Sequence, residues 1–211
     1  MKRIELLAPA KNKECGFAAI DSGADAVYIG GPSFGARVNA ANTLEDIKEL
    51  CDYAHLFGAK IHVTINTILN DQELEKAREL TFKLYDVGVD ALIIQDLGLI
   101  NGPLPPLEIH ASTQQDNSTP QKVQFLEKAG FSQVVLAREL SINEIKRIRE
   151  STTVKLEAFI HGALCVGISG RCYLSAAITG RSANRGECAQ LCRVAQSLYD
   201  AKGNVLAKDK Y

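Results

Sequence analysis

Residues 61–95 read IHVTINTILNDQELEKARELTFKLYDVGVDALIIQ. Positions 61–66 are rich in β-branched residues and predict a strand. Asn70 and Asp71, placed before Glu73, put oxygen acceptors over the unpaired backbone donors of a starting helix. Apolar residues at 74, 77, 80, 84 and 87 then recur at helical spacing through 72–87. Gly88 suits the left-handed residue that ends a helix, and 91–95 is a second apolar run. Strand, helix, glycine, strand is the unit that joins parallel strands by a crossover helix.

The same rhythm extends in both directions. Strands are expected at 4–8, 26–29, 61–66, 91–95, 107–111, 133–137 and 155–160, and helices at 13–22, 44–57, 72–87, 120–128 and 142–150. Thr43 with Asp46 and Ser141 with Glu144 mark two further helix starts, and Gly23, Gly58 and Gly130 mark helix ends. Apolar strands joined by helices imply an α/β fold with a parallel sheet. A doubly wound sheet that binds a dinucleotide needs G-x-G-x-x-G after its first strand, and Gly30-Gly31 follows the second. The expectation is therefore a TIM-like (β/α) barrel over 1–162, incomplete with seven visible strands, then a cysteine-rich loop module over 163–193 at the barrel mouth and a small hairpin over 194–211. Closure takes eight strands and typically about 250 residues, so the chain reads as a fragment of a longer protein. Between 96 and 106, Gly102-Pro103 and Pro105-Pro106 leave room for a turn rather than a helix.

The chain has 211 residues, enough for one well-cored domain, and is 46% hydrophobic and 23% charged. Its 24 basic and 25 acidic residues nearly cancel, so any contact with nucleic acid must rest on a local patch. No stretch approaches the roughly 18 apolar residues of a membrane span, and Met1-Lys2-Arg3 opens no signal peptide. The expected location is cytoplasmic, without membrane contact. In that reducing compartment clustered thiols read as metal ligands or catalytic groups rather than disulfides.

Barrel active sites are built at the C-terminal ends of the strands. There the sequence offers Asn66 and Thr67, Gln95 and Asp96, Ser112, Thr113 and Gln114, Arg138 and Glu139, and His161. His110 alternates with Glu108 and Ser112. Glu157 and His161 share a face about 13 Å apart, too far for a direct dyad. Inside a barrel Glu157 either meets Arg138 or Lys60, or its pKa rises. Cys165, Cys172, Cys188 and Cys192 lie in one stretch interleaved with Gly167, Ser169, Gly170, Gly180 and Gly186. Four thiolates fit tetrahedral zinc or an iron–sulfur cluster, and the spacing alone leaves both open. Cys15 and Cys51 are expected in the core. Arg171, Arg181, Arg185 and Arg193 flank the four cysteines and could bind phosphate or offset thiolate charge.

Residues 157–165 (EAFIHGALC) and 170–175 (GRCYLS) resemble the signature of the collagenase-like peptidase U32 family. Residues 5–10 (ELLAPA), 23–30 (GADAVYIG) and 110–114 (HASTQ) are similar to that family's N-terminal half. The resemblance implies either of two activities. Some members are described as collagen-degrading peptidases; others bind a four-iron four-sulfur cluster and support hydroxylation of a tRNA uridine, an rRNA cytidine or a ubiquinone precursor. The RNA-hydroxylating members use prephenate-linked chemistry. The chain has no G-x-S-x-G and no H-E-x-x-H, so cluster-dependent RNA hydroxylation ranks first, a peptidase second, and a non-catalytic cluster-bearing subunit third.

The resemblance implies a cluster held by Cys165, Cys172 and Cys188. In some members one ligand lies further downstream, which makes Cys192 conditional. Glu157, His161, Arg138 and His110 are the expected catalytic groups, and Asn66, Gln95, Asp96, Gln114, Arg171 and Arg185 the expected substrate contacts. RNA is the expected substrate, with a small organic co-substrate such as prephenate and a possible partner subunit. Residues 184–188 (NRGEC) resemble members acting on RNA, where an arginine could contact phosphate.

Overall fold

The computed structural model describes residues 4–36, 42–163 and 165–210; Met1, Lys2, Arg3 and Tyr211, and Leu164 within the EAFIHGALC run, lie outside the described residues. Seven strands alternate with five helices: β1 (Leu7–Ala10), α1 (Lys13–Asp21), β2 (Ala26–Gly30), α2 (Leu44–Leu56), β3 (Lys60–Ile65), α3 (Asp71–Asp86), β4 (Ala91–Ile94), β5 (Glu108–Ala111), α4 (Pro120–Lys128), β6 (Gln133–Val135), α5 (Ile142–Glu150) and β7 (Lys155–Glu157). A 3-10 turn, Leu97–Ile100, stands where a helix would join β4 to β5, as the prolines there require.

The strands pair in sequence order from β1 to β7, every neighbour parallel. Consecutive right-handed crossovers without an order reversal curl a sheet toward a barrel instead of leaving a doubly wound sheet with helices on both faces. Among the described residues β1 and β7 remain unpaired with each other, so the barrel is open on that side. Helix entry follows the anticipated physics. Thr43–Asp46, Asn70–Glu73 and Ser141–Glu144 form reciprocal capping boxes. Gly23, Gly58, Gly88 and Gly130 all adopt positive φ at helix ends.

Period two divides the sheet. Val27, Ile29, Ile61, Val63, Ile65, Leu92, Ile94, Val134 and Leu136 pack with Ile47, Leu50, Ala77, Leu84, Leu126 and Ile148 of the helices into one apolar cluster. The opposite parity carries His62, Thr64, Ile93, Gln95, His110, Gln133 and Glu157, so the barrel interior is largely polar. Beyond β7 come α6 (Leu174–Thr179) and an antiparallel hairpin, β8 (Gln196–Tyr199) with β9 (Val205–Lys210).

Three expectations need correction. The first strand starts at Leu7 rather than residue 4, because Leu6 is held by Asp25: its N–H donates to the carboxylate and its carbonyl receives the N–H groups of Asp25 and Ala26. Pro9 within it is tolerated on an edge strand. The seventh strand stops at Glu157, matching a β6 only three residues long, and leaves Phe159 and Ile160 exposed. Cys15 is exposed, not core; it sits in the first turn of α1, whose buried residues are Gly16 and Ile20. Cys51 is buried, which pushes its thiol up to about 12.

Candidate functional site

Two buried histidines occupy the barrel interior. The rings of His62 on β3 and His110 on β5 meet edge to face with centroids 4.8 Å apart. Burial, reinforced by the neighbouring His110, pushes His62 down to about 3, and burial lowers His110 against the opposing pull of Glu108, whose Oε2 is 3.4 Å from its Nε2. Both rings are therefore neutral at pH 7, and the Nδ1 of each has no hydrogen-bond partner among the described residues. Glu157 is half-buried on the same side of the sheet. Loss of solvent pushes its carboxyl up to about 7, opposed by a 2.8 Å hydrogen bond from the Gln133 amide and assisted by Glu5. Of the two fates expected for Glu157, the raised pKa is the one realised, with Gln133 rather than Arg138 or Lys60 beside it. His161 lies past the end of β7 and is exposed.

The rim is a hydrogen-bonded ring. Asn66 accepts from the Ala36 N–H at 2.8 Å and donates to Ser112 Oγ at 3.2 Å. Gln95 donates through Nε2 to the Gln114 carbonyl at 3.1 Å, which fixes its amide with a buried, unpartnered Oε1. Both oxygens of Asp96 are engaged by backbone, from Leu69 N at 2.9 Å and Gly98 N at 2.8 Å. The Gln114 N–H donates to Ser112 Oγ at 3.2 Å. Asn117, absent from the sequence-derived candidates, is fully buried and ties the ends of β5 and β6 by donating to the carbonyls of Ser112 and Val135, each at 2.8 Å. His62 was also missing from them, although its alternation with Lys60 and Thr64 places it on the inner face.

The cysteine module sits on this rim. Ser169, fully buried, donates its N–H and hydroxyl to the two oxygens of Glu139 at 2.9 and 2.8 Å. Burial works against ionisation of Glu139, but these bonds outweigh it and hold the carboxyl below its usual range. Arg138 reaches Ser169 Oγ through Nη2 at 3.4 Å, while its Nε is buried without a partner. Gly170 has φ +76°, and a Cβ there would stand 1.9 Å from the Gln114 carbonyl oxygen, so only glycine lets the loop approach so closely. Arg171 pairs with Asp116 at 2.7 Å. Further along, Arg185 bonds both carboxylate oxygens of Glu73, at 2.6 and 3.1 Å, and the Ile68 carbonyl at 2.9 Å. The Asn184 carbonyl receives the Ile68 N–H at 3.1 Å.

Cys165, Cys172, Cys188 and Cys192 are free thiols, all half-buried. The Gln190 N–H points at Cys188 Sγ from 3.4 Å, the kind of backbone donor that tunes a thiolate. A Cβ at Gly167 would come within 3.2 Å of Cys172 Sγ. Among the described residues no three His, Cys, Asp or Glu side chains converge on a single metal ion. By donor chemistry alone, four cysteine thiols could serve either a zinc ion or an iron–sulfur cluster.

Sheet order, helical jacket and rim together define a (β/α) barrel protein with a four-cysteine module docked on its C-terminal face. The chain belongs to peptidase family U32, whose profile matches residues 11–211. It is 56% identical over 209 residues to the 23S rRNA 5-hydroxycytidine C2501 synthase of Escherichia coli (strain K12), covering 99% of this chain and 32% of that protein. It is 43% identical to tRNA hydroxylation protein P1 of Bacillus subtilis (strain 168), over 96% of this chain and 49% of that one. A collagenase of Porphyromonas gingivalis (strain ATCC BAA-308 / W83) is 33% identical, over 93% of this chain and 50% of that protein. The chain thus spans a third to a half of these relatives. Among solved structures, that of the U32 peptidase Mk0906 superposes with a TM-score of 0.63 at 16% identity, covering 74% of this chain and 68% of the other. At that identity the likeness concerns the fold.

Proposed function

We propose that the protein supports hydroxylation of a base in ribosomal or transfer RNA and carries a four-iron four-sulfur cluster on Cys165, Cys172, Cys188 and Cys192. The observation that carries this reading is the 56% identity, over 99% of the chain, to a protein named as an rRNA 5-hydroxycytidine synthase. When bound, such a cluster supplies one-electron transfer at a potential set by its surroundings. The chain's own residues supply the rest. Gln95 Oε1, an unpartnered buried acceptor, is suited to a donor on a base edge, and Asn66 and Gln114 shape the rim around it. Arg138, with Nε free of protein partners, is suited to a carboxylate of a small organic co-substrate such as prephenate. Glu157, poised near neutrality, can hold or release a proton, and His110 contributes a neutral ring inside the barrel. His161 is exposed, where it can meet substrate or a partner subunit. No helix among the described residues is long and apolar enough to cross a membrane, and the proposed site of action is the cytoplasm, where the RNA is.

Nucleoside mass spectrometry on ribosomal and transfer RNA tests this reading in cells with and without the protein. A hydroxylated cytidine or uridine should disappear on deletion and return with the wild-type chain but not with Cys165→Ser; hydroxylated nucleosides unchanged in both RNAs would overturn it. The resemblance to a collagenase motivates the second reading, a peptidase. Peptidases need an activated nucleophile or metal-bound water, and among the described residues no histidine hydrogen-bonds a serine, threonine or cysteine. Gelatin hydrolysis that is abolished by Cys165→Ala would favour this second reading.

A further inference from the structure

The four cysteines fall into two pairs that contact different parts of the barrel. The loop holding Cys165 and Cys172 turns at Ser169, which is fully buried and engaged by Glu139 and Arg138 at the end of β6. Gly170 of the same turn presses against the Gln114 carbonyl beyond β5. The segment holding Cys188 and Cys192 is fastened elsewhere: Arg185 grips Glu73 in the first turn of α3, and Asn184 and Arg185 together bond both backbone groups of Ile68. The two halves meet through Ser175 of α6, whose Oγ receives the Ala189 N–H at 3.0 Å.

We infer that the barrel rim sets the positions of the two cysteine pairs through separate anchors, Glu139 on Ser169 for Cys165 and Cys172, and Glu73 on Arg185 for Cys188 and Cys192. Glu139, Ser169, Glu73 and Arg185 are then positioning residues. The relevance to a cluster rests on the proposed function; the two anchors themselves do not. Arg185 is committed to a protein carboxylate, which assigns it to building the module rather than to contacting RNA phosphate. A charged pair that also satisfies backbone carbonyl and amide groups fixes a loop more firmly than a solvated pair does.

Thiol-specific alkylation of the metal-free full chain, quantified cysteine by cysteine by mass spectrometry, separates the anchors. Ser169→Ala and the milder Glu139→Gln should speed labelling of Cys165 and Cys172 about tenfold while Cys188 and Cys192 keep their rates. Arg185→Ala and the milder Glu73→Gln should do the reverse. Buried Cys51 is the internal reference: a variant that merely loosens the whole fold speeds Cys51 as well. Equal acceleration of all four module cysteines with Cys51 unchanged, or no acceleration, overturns separate anchoring. Reconstituted with iron and sulfide, each variant should also show a shifted reduction potential. Failure of every form, wild type included, to take up iron would count against the cluster while leaving the labelling result to decide the anchors.

Discussion

Glu157 combines a half-buried carboxyl with a single neutral donor, Gln133, and its effect on stability has a definite sign. Its folded pKa, about 7, lies above the ordinary value of 4.5, so the folded state holds a proton that the unfolded state releases. The resulting stability is fully present below pH 4.5 and is lost as pH rises through 7. Glu157→Gln keeps the shape and removes the titration. Relative to wild type, it should therefore gain stability on going from about pH 4.5 to pH 8, by roughly 3 kcal/mol at most, read from urea midpoints at the two pH values. A difference that does not change with pH would contradict a raised Glu157. His62 and His110 act oppositely: held neutral when folded, they contribute above pH 6.5 and cost stability as the pH falls. Residue types at the rim were legible in the sequence because barrel strands announce their ends. Their partners were not. Nothing in the sequence pairs Arg185 with Glu73, 112 residues away, or gives Gly170 its role, which is set by the Gln114 carbonyl in the turn after β5 rather than by the cysteines beside it.

Helices and strands were legible where local physics decides them. The capping boxes of α2, α3 and α5 lie at the positions their sequences mark, because a side-chain oxygen over orphan N–H groups works without tertiary help. α5 is short, with nine residues and one fully buried side chain, Ile148, so its cap matters. Ser141→Ala should lower stability by about 1 kcal/mol, measured as a fall in the urea midpoint at constant slope; an unchanged midpoint would show that packing alone holds the helix. Elements that depend on neighbours were harder to read. α6 has six residues and no side-chain cap, too weak a local signal to announce itself, and β7 ends where its partner β6 ends rather than where its apolar run does.

At the scale of the molecule, the apolar cluster lies between sheet and helices, and the polar side chains gather inside the barrel and on its rim. That division of labour lets the jacket hold the fold while the interior and rim remain available for chemistry. The cysteine module adds a second layer docked by hydrogen bonds and ion pairs rather than by a large apolar interface, since Val166, Ile168, Tyr173, Leu174 and Ile178 stay exposed. An iron–sulfur site in the four-cysteine module, as proposed, would show directly in the metal content of the protein. Iron and acid-labile sulfide analysis of anaerobically purified protein, with the absorption spectrum, tests it most directly. About four irons and four sulfides per chain are expected, with a broad band near 400 nm that is strongly reduced in Cys165→Ser, Cys172→Ser and Cys188→Ser. One zinc per chain, or a metal-free protein after anaerobic reconstitution, would contradict it.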